Sequence, residues 1–253
     1  MTSASQAPAV ELAVSDRVAR ITVGNGRHRN ALSDADWVSL ASTATTLRER
    51  RDVDLTVIAG HGTDFCAGSD IDTWVGADAD QVNGSFAAME SALQAVERLE
   101  MPTVAMIAGV AAGAGCQLAL ACDLRVMASS ARIGMPIASL GILVPVTFAA
   151  RITRLTGPQR ALELLYTGTL LSGSQAAQFG LVSDSVPDED LTSRVSQLVS
   201  RLLAMPPTAL RAAKAAVRSA YDPAVIAQSA VVDMTVFGPA VTAFAGRERR
   251  TTQ

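Results

Sequence analysis

Apolar and polar residues alternate along Val10–Val14 and again along Val18–Val23, on either side of Ser15-Asp16. That two-residue period with a polar turn predicts a β-hairpin. A turn-rich loop, Gly24 to Leu32, follows and carries Arg27 and Arg29. Ser33 with Asp36 three residues on forms a capping box, which starts a helix reaching about Arg51. The short apolar run Thr56–Ala59 predicts a buried strand, ending in the loop Gly60 to Gly68. Helical spacing returns over Ser85–Leu99, with Phe86, Met89, Leu93 and Val96 on one face, and Pro102 closes that helix. Thr103–Ile107 reads as the next strand. A glycine turn, a small helix near Ala114–Ala121 and the strand Leu124–Ala128 come after it. Repeated strand–helix alternation makes the class α/β.

The last third changes character. Gly157-Pro158 opens a helix through Tyr166, with Pro158 suited to the first helical position. Helices are expected over Ser174–Phe179, Glu189–Ala204, Thr208–Ser219 and from Asp222-Pro223 to about Phe237, with no strand beyond Glu189. The expected layout is a core over 1–187 and a helical region over 188–253, whose alanine-rich faces suit packing on a partner subunit or a half-buried surface.

Composition narrows the function. With 49% apolar residues and a net charge of -3, the 253-residue chain is neither disordered nor electrostatically suited to nucleic acid. Lys214 is its only lysine, so nearly every basic contact falls to arginine. Cys66, Cys116 and Cys122 have no metal-ligand spacing with His28 and His61, so no metal is expected and the thiols read as buried and reduced. The apolar stretch Thr103 to Ala121 is broken by Gly109, Gly113 and Gly115, which excludes a membrane span. The first 20 residues lack the charged start and continuous apolar stretch of a signal peptide, so a cytoplasmic protein is expected.

Two glycine-bearing loops leave the ends of predicted strands: Phe65 to Asp70 (FCAGSD) and Gly109 to Gly115 (GVAAGAG). A Walker A loop needs a lysine after its last glycine, and a dinucleotide loop needs Gly or Ala where Leu118 stands, so both phosphate-loop readings fail. Small residues in these loops allow close backbone approach by a ligand. Two N–H groups converging there would make an oxyanion hole without any catalytic side chain, although tight strand–helix packing selects the same residues.

Several ordered stretches carry a resemblance: Arg29 to Ser33 (RNALS), Phe65 to Ile71 (FCAGSDI), Gly109 to Asp123 (GVAAGAGCQLALACD) and Leu140 to Leu143 (LGIL). Tyr166-Thr167-Gly168, Ala176 to Val182 (AAQFGLV) and Pro206-Pro207 with Ala209-Leu210 and Lys214 continue it. Over almost its whole length the chain resembles the enoyl-CoA hydratase/isomerase (crotonase) superfamily. The resemblance implies a spiral of ββα repeats with C-terminal helices that trimerise, often as a dimer of trimers. It also implies an acyl-CoA thioester ligand, a place in fatty-acid metabolism, and no cofactor other than the coenzyme A of the thioester itself. By motif position the two backbone donors that grip the thioester oxygen fall on Ala67 and Ala114. The coenzyme A would lie along Ala67, Gly68, Ser69 and Asp70 beside Ala31, with Arg27 or Arg29 meeting its phosphates.

The family's acid/base groups are another matter. Hydratases of this kind use two glutamates, and here those positions hold Gln117 and Ile137. A third position, an aspartate in some branches, holds Pro145. The leading expectation is therefore an acyl-CoA-binding member with weak or absent hydratase chemistry, acting as carrier, sensor or structural subunit. Gln117 would at most orient a ligand, and Ile137 would suit an acyl tail. The alternative is an active hydratase, isomerase or decarboxylase with a substitute acid/base. Candidate substitutes have structural readings too: Asp70 satisfies loop N–H groups, Asp72 caps a helix, Glu90 sits on a solvated helix face, and His61 is an exposed loop residue. Glu163 reads as structural, and Trp74 either lines an acyl pocket or fills a core gap.

Overall fold

A computed structural model describes residues 9–219. Its strands, in chain order, are β1 (Val10–Ser15), β2 (Val18–Val23), β3 (Leu55–Gly60), β4 (Thr103–Ile107), β5 (Val110–Ala112), β6 (Leu124–Ala128), β7 (Arg132–Gly134), β8 (Leu171–Ser172) and β9 (Asp184–Val186). Its α-helices are α1 (Asp34–Glu49), α2 (Ala79–Glu97), α3 (Ala114–Ala121), α4 (Val146–Thr167), α5 (Gly173–Phe179), α6 (Leu191–Leu203) and α7 (Pro207–Ser219). The helix expected from Asp222 to Phe237 lies outside the described residues.

One sheet runs β1-β2-β3-β4-β6-β9, antiparallel only at the β1–β2 hairpin and parallel from β2 onward. The hairpin turn is Asp16 and Arg17, both left-handed (φ 49° and 67°), one residue later than the sequence pattern placed it. A two-residue turn of that hand matches the natural twist of the strands. The inner strands are apolar almost without interruption because helices cover them; Leu55 to Ala59 are all buried. A second, small sheet pairs β5 with β7 and β7 with β8. It replaces the simple glycine turn expected between β4 and α3. Gly109 and Gly113, at φ 52° and 54°, flank β5 and swing the chain from one sheet to the other.

Two helices are longer than expected. Asp78 and Gln81 form a capping box that starts α2 six residues before Ser85, on turns too polar to show an apolar face. Gly157 is non-helical (φ 76°, ψ 165°) and breaks α4 into two segments, so a helix opens at Gly157-Pro158 as expected, and an additional helical arm from Val146 precedes it. At the C-terminal end of the described chain, Arg211, Lys214 and Arg218 lie on one face of α7. They donate to the carbonyls of Val53 (3.1 Å), Met101 (2.8 Å) and Leu99 (3.5 Å). Lys214 also pairs with Asp123 at 2.6 Å, so the one lysine clamps α7 to the ends of the main sheet. No described helix is long and apolar enough to cross a membrane.

Candidate active site

The two glycine-bearing loops meet. Cys66 donates to Val110 O (2.8 Å) and Ala112 donates back to Cys66 O (3.0 Å), so the first loop adds to the edge of β5. Leu32 and Asp70 bond in the same way across Gly68 and Leu32 (2.8 and 2.9 Å). Glycine makes this contact possible at two places. A Cβ on Gly115 would lie 1.9 Å from Cys66 O, and one on Gly68 would lie 2.9 Å from Ala112 O and 3.2 Å from Ala114 N. Ser69 is fixed from below: Trp37 Nε1 donates to its hydroxyl at 2.9 Å, and that hydroxyl lies 3.0 Å from Met89 Sδ.

Ala114 is the first residue of α3, so its N–H has no partner within the helix. Among the described residues no other acceptor is bonded to it. The helix dipole adds a positive end at the same place. Ala67 N–H, in contrast, donates to the Arg29 carbonyl at 2.9 Å.

Beside these donors opens a cavity of about 380 Å³. Its mouth is formed by His28, Ala31, Asp70 and Asp72, and Ala67, Gly68, Gly113 and Ala114 lie along one wall. The rest is apolar. Trp74 stacks on Phe86 with ring centroids 5.6 Å apart, Phe86 meets Phe148 at 6.2 Å, and Met89, Ile137, Leu140 and Ile142 are among the other lining residues. Trp74 therefore lines the pocket. Arg27 and Arg29 are exposed and stand outside this lining.

The two positions at which the resemblance implies glutamates differ in kind. Ile137 faces the cavity as an apolar wall residue. Gln117 does not line it. Its side chain is fully buried in α3, with Nε2 donating to Phe148 O at 3.3 Å and 3.5 Å from Met135 Sδ, while Oε1 has no partner. A ligand-orienting hydrogen bond from Gln117 is not made from this position. Pro145 lies off the cavity as the N-cap residue of α4.

Of the candidate substitutes, Asp70 caps a short 3₁₀ turn by accepting from Asp72 N, so Asp70 and not Asp72 is the cap. His28, Asp70 and Asp72 bring ligand atoms within 4.8 Å of one another at the exposed mouth. His61 and Glu163 are exposed and outside the lining.

Glu90 overturns its solvated-face reading. Both of its carboxylate oxygens accept from Arg151 (2.9 and 2.8 Å), and Arg151 is 3% exposed and also bound by Glu97 at 2.9 Å. The partner that binds it sits 61 residues away on α4, in the arm the sequence pattern did not reveal. Burial pushes the Glu90 carboxyl up, but hydrogen bonds from Arg151, Gln94 and Thr147 outweigh that and hold it below the ordinary glutamate range. A lowered folded value means that the pair's stabilisation is present above the ordinary glutamate range and is lost as pH falls through the lowered one. Glu90→Gln should therefore cost about 2–3 kcal/mol near neutrality. Denaturant unfolding of wild type and variant should show that gap closing only in acid; a gap that is the same at both pH values would refute the pairing.

Comparison with known proteins places these features. The family model described as enoyl-CoA hydratase/isomerase matches residues 13–243. A probable enoyl-CoA hydratase of Mycobacterium bovis is 34% identical over 207 residues, 81% of this chain and 79% of its own. A 2,3-dehydroadipyl-CoA hydratase of Escherichia coli is 34% identical over 215 residues, covering 84% and 83%. The crystal structure of an enoyl-CoA hydratase/carnithine racemase from Magnetospirillum magneticum superimposes with a TM-score of 0.89 at 28% identity, over 94% of this chain and 93% of that one.

Proposed function

The chain belongs to the enoyl-CoA hydratase/isomerase family, and within that family we propose that it binds acyl-CoA thioesters with little or no hydratase chemistry. The observation that carries this reading is the pair of replaced positions: one presents Ile137 to the cavity, and the other turns Gln117 away into the core. The backbone donors Ala67 and Ala114 would grip the thioester oxygen, and the Trp74–Phe86–Phe148 wall would take the acyl chain. Coenzyme A would run past Ala31, Gly68, Ser69 and Asp70 toward Arg27 and Arg29, and no further cofactor is required. Exposed Leu140, Leu143 and Val146 give apolar surface for a homotrimer or a dimer of trimers, in the cytoplasm.

A second reading, an active acyl-CoA isomerase, decarboxylase or hydratase with a substitute acid/base, is favoured by one observation: Asp70 and Asp72 border the cavity mouth. Calorimetric titration with saturated acyl-CoAs, beside an absorbance assay on trans-2-enoyl-CoAs, separates the two. Micromolar or tighter binding without turnover is expected. Turnover that disappears in Asp70→Asn or Asp72→Asn would favour the second reading, and no binding at all would sink the first.

A further inference from the structure

The hydrogen bond from Ala67 N–H to Arg29 O sits where the proposed function needs a free donor. Of the two N–H groups that would hold a thioester oxygen, the Ala114 donor is available and the Ala67 donor is taken. The acceptor belongs to an unusual piece of backbone. His28, Arg29 and Asn30 are three successive left-handed residues, with φ of 48°, 54° and 60°, and none is glycine. Left-handed backbone in L-residues is costly because Cβ crowds the following carbonyl, and three in succession exceed even the pair in the Asp16-Arg17 hairpin turn.

The strain is unevenly supported. Asn30 tolerates the conformation well and is 1% exposed. Its amide donates to His61 O (2.8 Å) and Asp64 O (2.7 Å) and its oxygen accepts from Gly26 N (2.8 Å). Arg29 has no side-chain anchor, and the backbone around it is held by Asn30 N–H to Arg27 O (2.8 Å) and Ala31 N–H to His28 O (3.2 Å). Its side chain is exposed, and its carbonyl is held by Ala67 N–H. The Asn30 side chain therefore pins one end of the turn, while the Arg29 peptide leaves its strained position by giving up two bonds, Ala67 N–H to its carbonyl and its own Asn30 N–H to Arg27 O.

Resting on the reading that Ala67 is a thioester donor, we propose that the Arg27–Asn30 turn is a latch on the anion hole: the Arg29 carbonyl occupies Ala67 N–H, and a thioester oxygen must displace it to be held by both donors. The latch lowers apparent affinity by the fraction of molecules in which it is open. Strain at Arg29 sets that fraction, because releasing the carbonyl frees the residue to leave the left-handed region.

The test varies Cβ alone. Arg29→Gly, Arg29→Ala and Arg29→Val all remove the guanidinium, so any phosphate contact is lost equally. Glycine removes the crowding and favours the closed latch, whereas valine worsens it and favours the open one. Octanoyl-CoA should bind Arg29→Val most tightly and Arg29→Gly most weakly, with about tenfold between them. Free coenzyme A has no thioester oxygen to compete for Ala67, and it should bind all three alike. Should the valine variant unfold, alanine over glycine by about threefold carries the same sign. Equal octanoyl-CoA affinities, a reversed order, or the same spread with free coenzyme A would overturn the latch. Wild type failing to bind octanoyl-CoA would overturn the underlying reading instead.

Discussion

Hydration of trans-2-enoyl-CoA thioesters should run about 10⁴-fold or more below the rate of a family hydratase with both glutamates. Each positioned acid or base is worth roughly 10²–10⁴-fold, and on the proposed reading both are replaced here. Loss of the enoyl-thioester absorbance, followed with purified protein over a range of chain lengths, measures this directly. A rate within tenfold of such a hydratase would overturn the proposed function and direct attention to Asp70 and Asp72. Restoring the carboxylates in Gln117→Glu with Ile137→Glu should recover only a small part of the rate, on the order of 10–100-fold over wild type. The reason is geometric. A glutamate at 137 would face the cavity among Leu140, Ile142 and Phe148, where burial keeps it protonated and fit to act as an acid. A glutamate at 117 would inherit the contact with Phe148 O. Only a protonated carboxyl can donate to that carbonyl, so the group meant to act as a base would be held neutral and aimed away from the substrate. Full recovery from the double variant would mean that residue 117 reaches the cavity after all.

The residues that made this site legible in sequence were those whose chemistry is local. A glycine loop that leaves a strand and opens a helix carries its geometry with it. The strand Thr103–Ile107, the helix Ala114–Ala121 and the strand Leu124–Ala128 accordingly stand where the pattern put them. What stayed hidden depended on partners distant in the chain. β5, β7, β8 and β9 have two or three residues each, too few for a period of two to register. Glu90 looked like any surface carboxylate in its helix, because Arg151 reaches it from 61 residues away. Gln117 stands where the resemblance implies a glutamate, but its orientation follows from the Phe148 carbonyl, on a helical arm before Gly157 that the sequence pattern did not reveal. The occupied Ala67 N–H was hidden for a related reason: a backbone hydrogen bond from residue 67 to residue 29 has no side-chain signature at either end.

The glycine at 68 supports a large effect on binding from a single methyl group. Its backbone lies at φ +109°, which L side chains rarely adopt, and a Cβ there would be 2.9 Å from Ala112 O and 3.2 Å from Ala114 N. Gly68→Ala must therefore strain the loop and push it off the start of α3 together. The stability cost is about 2–3 kcal/mol, from left-handed strain plus overpacking against backbone that cannot swing aside. The cost to binding should be larger than stability alone explains. The displaced atoms are the two loops that carry Ala67 and Ala114, and an anion hole requires its donors within a few tenths of an ångström of their working positions. Acyl-CoA affinity should fall about 100-fold or more. Gly76→Ala is the control, since Gly76 is also left-handed (φ +76°) but a Cβ there meets nothing within 4 Å. That variant bears the backbone strain without moving the loops, so it should lose about 1 kcal/mol of stability and bind acyl-CoA as wild type does. Measuring unfolding and octanoyl-CoA titration for both variants separates the two effects. If Gly68→Ala folds and still binds like Gly76→Ala, the thioester is not held at the junction of these loops.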